Sequence, residues 1–301
     1  MERRTFMTAA AVSAATLGTA TMAATAGAMG KFKLRYAPRI NAFPAHVGND
    51  PIDNIKFAAD QGFRGMFDNG LAGKPVDLQA KIAKEIEKQG MKLGPFVMGG
   101  NDRDHPMVLG GKGARNAIIA GTKAAIEVAK RVNCDRALLV PGNYDLRLHM
   151  DYQTANVIDT LRSAAEVAEP AGLVIVLEPL NWYANHPGLF LHEIPQAYMI
   201  CRAVNSPSVK IVNDLYHQQI SEGNLIPNID RAWDEIGAFH IGDNPGRKEP
   251  GSGEINYVNV FKHIHSKGYD GVLCMEHGMS LGRGKEAEMG LIEAYRKADD
   301  F

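Results

Sequence analysis

A single (β/α)8 barrel of the α/β class is the architecture this chain predicts, and three observations carry that reading. From Lys33 onward, short β-rich runs alternate with longer amphipathic segments, eight of each in strict order. Such alternation is the mark of parallel strands joined by helices. Glycines stand where helices must stop: Gly62, Gly90, Gly172 and Gly268 each follow a periodic run and precede a strand, as C-cap glycines do. Finally, four runs in the second half end at or around a polar residue, at Glu178, Asp214, His240 and Glu276. A barrel of this kind builds its active site at the C-terminal ends of its strands.

The elements follow in order. The first strand is expected over 34–40 and its helix over 52–61; the second pair over 64–68 and 77–89. The third pair spans 92–97 and 114–132, and the fourth 136–141 and 152–169. The fifth strand, 173–178 (LVIVLE), leads to a helix over 194–203; the sixth, 209–214 (VKIVND), to one over 225–235. The seventh, 238–242 (AFHIG), leads to 257–267, and the eighth, 271–276 (GVLCME), to 285–297. Eight units close a circle, which favours a barrel over an open doubly wound sheet. No GxGxxG follows the first strand, which speaks against a dinucleotide-binding fold. The barrel is therefore placed at 33–301 as one domain.

The first 28 residues read as a targeting segment. Arg3-Arg4-Thr5-Phe6-Met7 is a twin-arginine pattern, followed by an uncharged stretch over 8–29 rich in Ala, Gly and Thr. That stretch is too weakly apolar for a membrane span, and Ala26 and Ala28 form an A-x-A-type cleavage site. A Tat-type signal peptide and an exported, periplasmic or extracellular protein are expected, with no stable membrane anchor. In composition, 45% of the 301 residues are hydrophobic and the net charge is −1, with a pI near 6.8. One large core is easily built from such a chain, and the basic face of a nucleic-acid binder is missing. Cys134, Cys201 and Cys274 are distant from one another and odd in number, and read as buried thiols.

The polar strand ends carry the chemistry. Glu178 follows the apolar run 173–177, and Asp214 ends 210–213 in the same manner, with His217 three residues later. An Asp-x-x-His turn lets both side chains face one pocket above the strand. His240 lies between Phe239 and Ile241, with Asp243 just beyond; inside a barrel its nitrogens need partners, which a metal and a nearby carboxylate would supply. Glu276 closes the last strand, and alternation turns His277 to the opposite side. Three carboxylates and one imidazole make an oxygen-rich divalent site suited to Mn²⁺ first, with Mg²⁺, Co²⁺ or Zn²⁺ as alternatives. The loop over 244–257 brings Arg247 and Lys248 over the pocket as a clamp for substrate oxygens. After strand five, Asn181, Trp182, Tyr183 and His186 offer polar and aromatic faces to a small molecule.

These segments resemble the xylose isomerase-like TIM-barrel superfamily, and most of all its hydroxypyruvate isomerase branch. The resemblance rests on LEPLN at 177–181, NDLYHQQISEGNL at 213–225, IGDNPGRKEPGSGEINY at 241–257 and GYDGVLCMEH at 268–277. It implies a metal held by Glu178, Asp214, His240 and Glu276. It also implies Glu178 and Glu276 as the acid/base pair, with His217 and Arg247 holding substrate oxygens. One departure stands out: the hydroxypyruvate isomerase branch tends to carry Gln where His240 stands, and histidine there is similar to the ketose 3-epimerase and inosose-processing branches.

The expected activity is a metal-dependent isomerase or epimerase acting on a small keto-sugar or hydroxy-keto acid by proton transfer through an enediolate. The same site could serve a dehydratase or lyase on keto-sugars or inososes. A non-catalytic, exported carbohydrate-binding barrel is a further alternative, although binding alone needs no pair of bases. A base-excision endonuclease would need a basic DNA face and a richer histidine set. The partner is thus a small molecule and not nucleic acid; homo-oligomerisation is left open. Rim loops at 98–113 and 142–151, with Asn101, Asp102, Asn143 and Asp145, would set specificity.

Overall fold

The computed structural model describes residues 30–301; the twin-arginine segment lies outside these described residues. Nine short strands are assigned: β1 (Arg35–Ala37), β2 (Gly65–Met66), β3 (Lys92–Leu93), β4 (Phe96–Val97), β5 (Arg136–Leu139), β6 (Val174–Leu177), β7 (Val209–Asp214), β8 (Ile236–Ile241) and β9 (Val272–Met275). All pairings between them are parallel, in the order β1-β9-β8-β7-β6-β5-β4 with a separate pair β2-β3. β3 and β4 are successive pieces of the run 92–97, and a parallel bridge from Arg39 to Phe67 joins the β1 side to the β2 side. The ring thus has the eight positions that the alternation predicts, an α/β TIM barrel.

Strand three breaks at Pro95 for a hydrogen-bonding reason, and Gly94 before it answers a steric one. Pro95 has no N–H to give a ladder. A Cβ on Gly94 would fall 2.5 Å from Cys274 Sγ and 3.0 Å from Phe67 Cβ, so only glycine lets this strand pass so close to its neighbours across the barrel.

Among the described residues, ten α-helices are assigned: α1 (Pro44–Val47), α2 (Pro51–Asp60), α3 (Val76–Lys88), α4 (Gly111–Val132), α5 (Met150–Ala168), α6 (Ile194–Val204), α7 (Leu215–Ser221), α8 (Leu225–Ala232), α9 (Tyr257–Ser266) and α10 (Lys285–Ala298). Gly62, Gly90, Gly172 and Gly268 all take positive φ, as expected of residues that end helices. Three details differ from the sequence reading. The helix expected over 225–235 tightens to 3₁₀ geometry at Trp233–Glu235. The short helices α1 and α7 were not anticipated. α7 exists because Asp214 caps it: one carboxylate oxygen accepts from the backbone N–H groups of Tyr216 and His217 at 2.8 and 3.2 Å, satisfying two donors that a helix start leaves open.

Most apolar side chains pack between strands and helices. A separate small layer, Leu138, Val176, Val212 and Ala238, fills the barrel interior, one residue from each of β5 to β8. Strand side chains alternate between two faces. The residues two positions on from Val176, Val212 and Ala238 therefore share their inward direction, and these are Glu178, Asp214 and His240. Cys201 and Cys274 lie in α6 and β9, and all three cysteines are free and buried. His277 points away from the interior, as alternation requires, and bonds the Tyr295 hydroxyl at 2.8 Å. Among the described residues, no helix is long and apolar enough to cross a membrane.

Candidate metal centre

Four consecutive strands deliver one polar side chain each to a single point above the apolar layer. Glu178 follows β6, Asp214 ends β7, His240 lies in β8 and Glu276 follows β9. Each offers one ligand atom, and these atoms all lie within 4.8 Å of one another. The strand register helps: Asp214 pairs with His240, and His240 with Cys274, two residues before Glu276. Glu178, Asp214 and His240 are buried, His240 completely.

The cluster is electrostatically demanding. His240 Nδ1 lies 2.8 Å from Glu178 Oε1 and 3.1 Å from Glu276 Oε2. The second contact is a hydrogen bond, whereas Glu178 Oε1, like His240 Nε2, is buried without a hydrogen-bond partner. A buried carboxylate oxygen without a partner is costly. A divalent cation among three carboxylates and an imidazole would meet that need, and such oxygen-rich donor sets suit hard or borderline ions. The residues present fit a metal.

The two glutamates are driven apart in acidity. Burial pushes the Glu178 carboxyl up to about 7, and the neighbouring His240 only partly offsets this. Burial acts on Glu276 too, but His240, then Arg247 and Asn69, outweigh it and hold Glu276 well below the usual carboxylate range. Burial opposes charge on His240, yet the pull of Glu178 and Glu276 wins and raises it well above its ordinary value.

Arg247 reaches the cluster from the loop after β8. Its Nη2 lies 2.9 Å from Glu276 Oε2 and 3.2 Å from Asp214 Oδ2, and its Nε donates to the Glu276 carbonyl at 3.2 Å. The guanidinium also sits 4.9 Å from the centre of the Tyr216 ring, a favourable cation–π placement. Asp243 shapes this loop: its carboxylate accepts from the backbone N–H of Asn244, Gly251, Gly253 and Ile255. Its hydrogen bonds therefore go to the loop rather than to His240.

Hydrogen-bond bookkeeping settles the state of His217. Asn181 Oδ1 accepts from the N–H groups of Ala184 and Asn185, so its other amide atom must be the nitrogen. That nitrogen lies 2.6 Å from His217 Nδ1, and the Asn181 backbone N–H donates to the same ring nitrogen at 3.2 Å. Nδ1 is thus an acceptor, and the proton of the neutral ring is on Nε2. Burial, helped by the charge of Arg247 and opposed by Asp214, pulls His217 down to about 4, so the ring is neutral near pH 7. Nε2 is buried and without a partner, a donor ready for an oxygen. In ¹⁵N-histidine spectra, His217 is expected to show a protonated Nε2 and a bare Nδ1 at pH 7, unchanged down to about pH 5. An imidazolium or an Nδ1–H form at pH 7 would refute this assignment.

Of the residues expected to touch substrate, His217 and Arg247 adjoin the quartet. Asn181 and Trp182 do not meet it. Asn181 spends its side chain on Ala184, Asn185 and His217, and so holds His217 in place. Trp182 donates its indole N–H to the Leu189 carbonyl at 2.7 Å and stacks on His192 and Tyr144, at 4.1 and 5.4 Å between ring centres. Its ring is engaged by the protein. The sequence reading missed Asn69, just beyond β2, whose amide nitrogen donates to Glu276 Oε1. Its only signal was its place after a strand in MFDN, which a turn asparagine shares.

The chain matches the family described as the xylose isomerase-like TIM barrel over residues 55–295. It is 33% identical over 193 residues to a putative hydroxypyruvate isomerase of Xenopus laevis, covering 62% of this chain and 70% of that protein. It is 32% identical over 247 residues to a 2-oxo-tetronate isomerase of Cupriavidus necator, covering 81% of this chain and 92% of that protein. Among solved structures, an AP endonuclease of family 2 from Brucella melitensis superposes with a TM-score of 0.72 at 26% identity, covering 86% of this chain and 96% of that one.

Proposed function

The chain belongs to the xylose isomerase-like TIM-barrel family, and from that premise we propose that this isomerase moves a proton on a small keto-sugar or hydroxy-keto acid. The observation that carries the reading is the glutamate pair itself: Glu178 and Glu276 lie 2.8 and 3.1 Å from the one buried His240 Nδ1, in a quartet whose ligand atoms all lie within 4.8 Å of one another. Two carboxylates beside one substrate can take a proton at one position and return it at another. A divalent cation held by Glu178, Asp214, His240 and Glu276, with Mn²⁺ the first choice, would polarise a substrate carbonyl and its neighbouring hydroxyl and so acidify the adjoining C–H.

The chain's own groups divide the remaining work. Glu276, ionised, is the base that takes the carbon-bound proton. That proton then returns, from Glu276 itself or handed on through Glu178, to the neighbouring carbon in an isomerisation or to the opposite face in an epimerisation. His217 donates its Nε2–H to a substrate oxygen, and Arg247 offers a guanidinium to the negative charge that develops as the proton leaves. The isomerase names borne by the relatives agree with this chemistry. His240, standing where the hydroxypyruvate isomerase branch tends to carry Gln, favours a ketose epimerase as the second reading. The name of the Brucella structure raises a nucleic-acid reading, but a net charge of −1 gives a DNA backbone little to hold. The twin-arginine opening adds export to the proposal.

The test is deuterium incorporation in D₂O, read by mass spectrometry, across ketoses, hydroxy-keto acids and keto-inositols with the Mn²⁺-loaded protein. Exchange into one compound class, lost on chelation, is the expected result. No exchange across the panel despite metal binding would overturn the proposal in favour of a binding protein.

A further inference from the structure

Asn69 has a hydrogen-bonding capacity that the metal site does not use. Its backbone is held firmly: its carbonyl accepts from Val97 N–H at 3.0 Å, and the neighbouring Gly70 N–H donates to Asp68 Oδ1 at 2.9 Å. Its side chain meets Glu276 Oε1. A carboxylate only accepts, so the amide nitrogen must face Glu276. The amide oxygen is then fixed on the other branch, where it is buried and has no partner. Leaving a buried acceptor unmet costs more than an ordinary hydrogen bond returns. Around the same four-residue cluster, His217 Nε2 is a buried donor in the same situation.

An open buried acceptor beside Glu276 calls for a donor, and a hydroxyl group supplies one. A second carboxylate or a phosphate would be repelled by the Asn69 oxygen. We propose that Asn69 is a specificity-determining residue whose Oδ1 accepts from a substrate hydroxyl beyond the carbonyl and hydroxyl pair at the metal. The substrate class is then a polyhydroxylated keto compound of four or more carbons rather than a three-carbon keto acid. This inference rests on the metal-dependent reading above and narrows its substrate.

Two probes separate the hydroxyl contact from the metal site. Glycolate offers an α-hydroxycarboxylate and nothing more; erythronate offers the same group plus two further hydroxyls. Calorimetric titration of the full, Mn²⁺-loaded chain gives the ratio of their affinities. The wild-type protein is expected to prefer erythronate. Asn69→Ala, and the nearly isosteric Asn69→Leu should alanine fail to fold, are expected to lower that preference by about 5- to 10-fold, the loss of one hydrogen bond. A ratio unchanged in the variants overturns the inference, even where both affinities fall together, because Asn69 would then serve only the carboxylate. Wild-type protein that binds neither Mn²⁺ nor glycolate would overturn the metal-dependent reading itself, and this inference with it.

Discussion

Replacing Glu276 with glutamine is expected to slow metal-dependent proton exchange by at least about 10³-fold while the barrel still folds. The variant keeps the size of the side chain but removes the ionised oxygen proposed as the base. It also puts an amide into a place built for a carboxylate. Asn69 donates to Oε1, while Arg247 donates to Oε2 and His240 lies within hydrogen-bond reach of it. A glutamine NH₂ must therefore face a donor on one side or the other. That conflict costs on the order of 1–3 kcal/mol, which urea denaturation would register.

Glu178→Gln makes the informative comparison. Glu178 is already raised to about 7 by burial, so a neutral side chain resembles the state it holds near neutrality. This variant is expected to keep its metal-free stability and to lose exchange through the missing proton carrier and metal ligand. Mass-spectrometric exchange rates alongside circular dichroism would separate the cases. Exchange surviving within tenfold in Glu276→Gln would remove it from the role of base.

Asp214 gives the second large effect because its two oxygens do different work. One caps α7 through Tyr216 and His217; the other faces Arg247, and the residue belongs to the metal quartet. Asp214→Ala is expected to lose both: about 1–2 kcal/mol of metal-free stability from the cap, and more than about 100-fold in Mn²⁺ affinity. Even an outer partner of a metal ligand commonly carries 10–100-fold. Asp214→Asn keeps a capping oxygen but turns its NH₂ toward the Arg247 donor, so it should keep the cap, lose the Arg247 contact and still lose the metal.

The same titration, repeated at several pH values, tests the acidity of the site. Glu178 is raised to about 7 and His240 stands well above its ordinary value, so both carry protons in mildly acidic solution. The metal needs both deprotonated. Affinity should therefore fall as pH drops below about 7, and binding should release protons. Equal affinity for Asp214→Ala and wild type, or affinity indifferent to pH, would count against the quartet as the metal site.

Much of this centre is legible in the sequence for a local reason. Period-two alternation ties Glu178 to Val176, Asp214 to Val212 and His240 to Ala238, and each apolar partner lines the interior. Regular spacing by one helix and one strand then makes the polar ends neighbours in the ring. Short elements were harder to read. α7 is only seven residues long and owes its start to a cap by Asp214, which reads equally well as a strand end. Strand three splits at Pro95, which has no N–H for the ladder, and the close approach of Gly94 to Cys274 is a contact no local pattern reveals.

By itself, then, the sequence determined the barrel, the four strand-end residues and the face they share. Those features follow from side-chain alternation along a strand and from the count of repeating units. Only the tertiary structure decided what each polar group does once there. It showed that Asn181 bonds His217, that Asp243 shapes the Arg247 loop, and that Asn69 meets Glu276. The physical reason is that a hydrogen bond depends on the position and direction of its partner. Asn69 and Glu276 are 207 residues apart along the chain, and only closure of the ring brings them together.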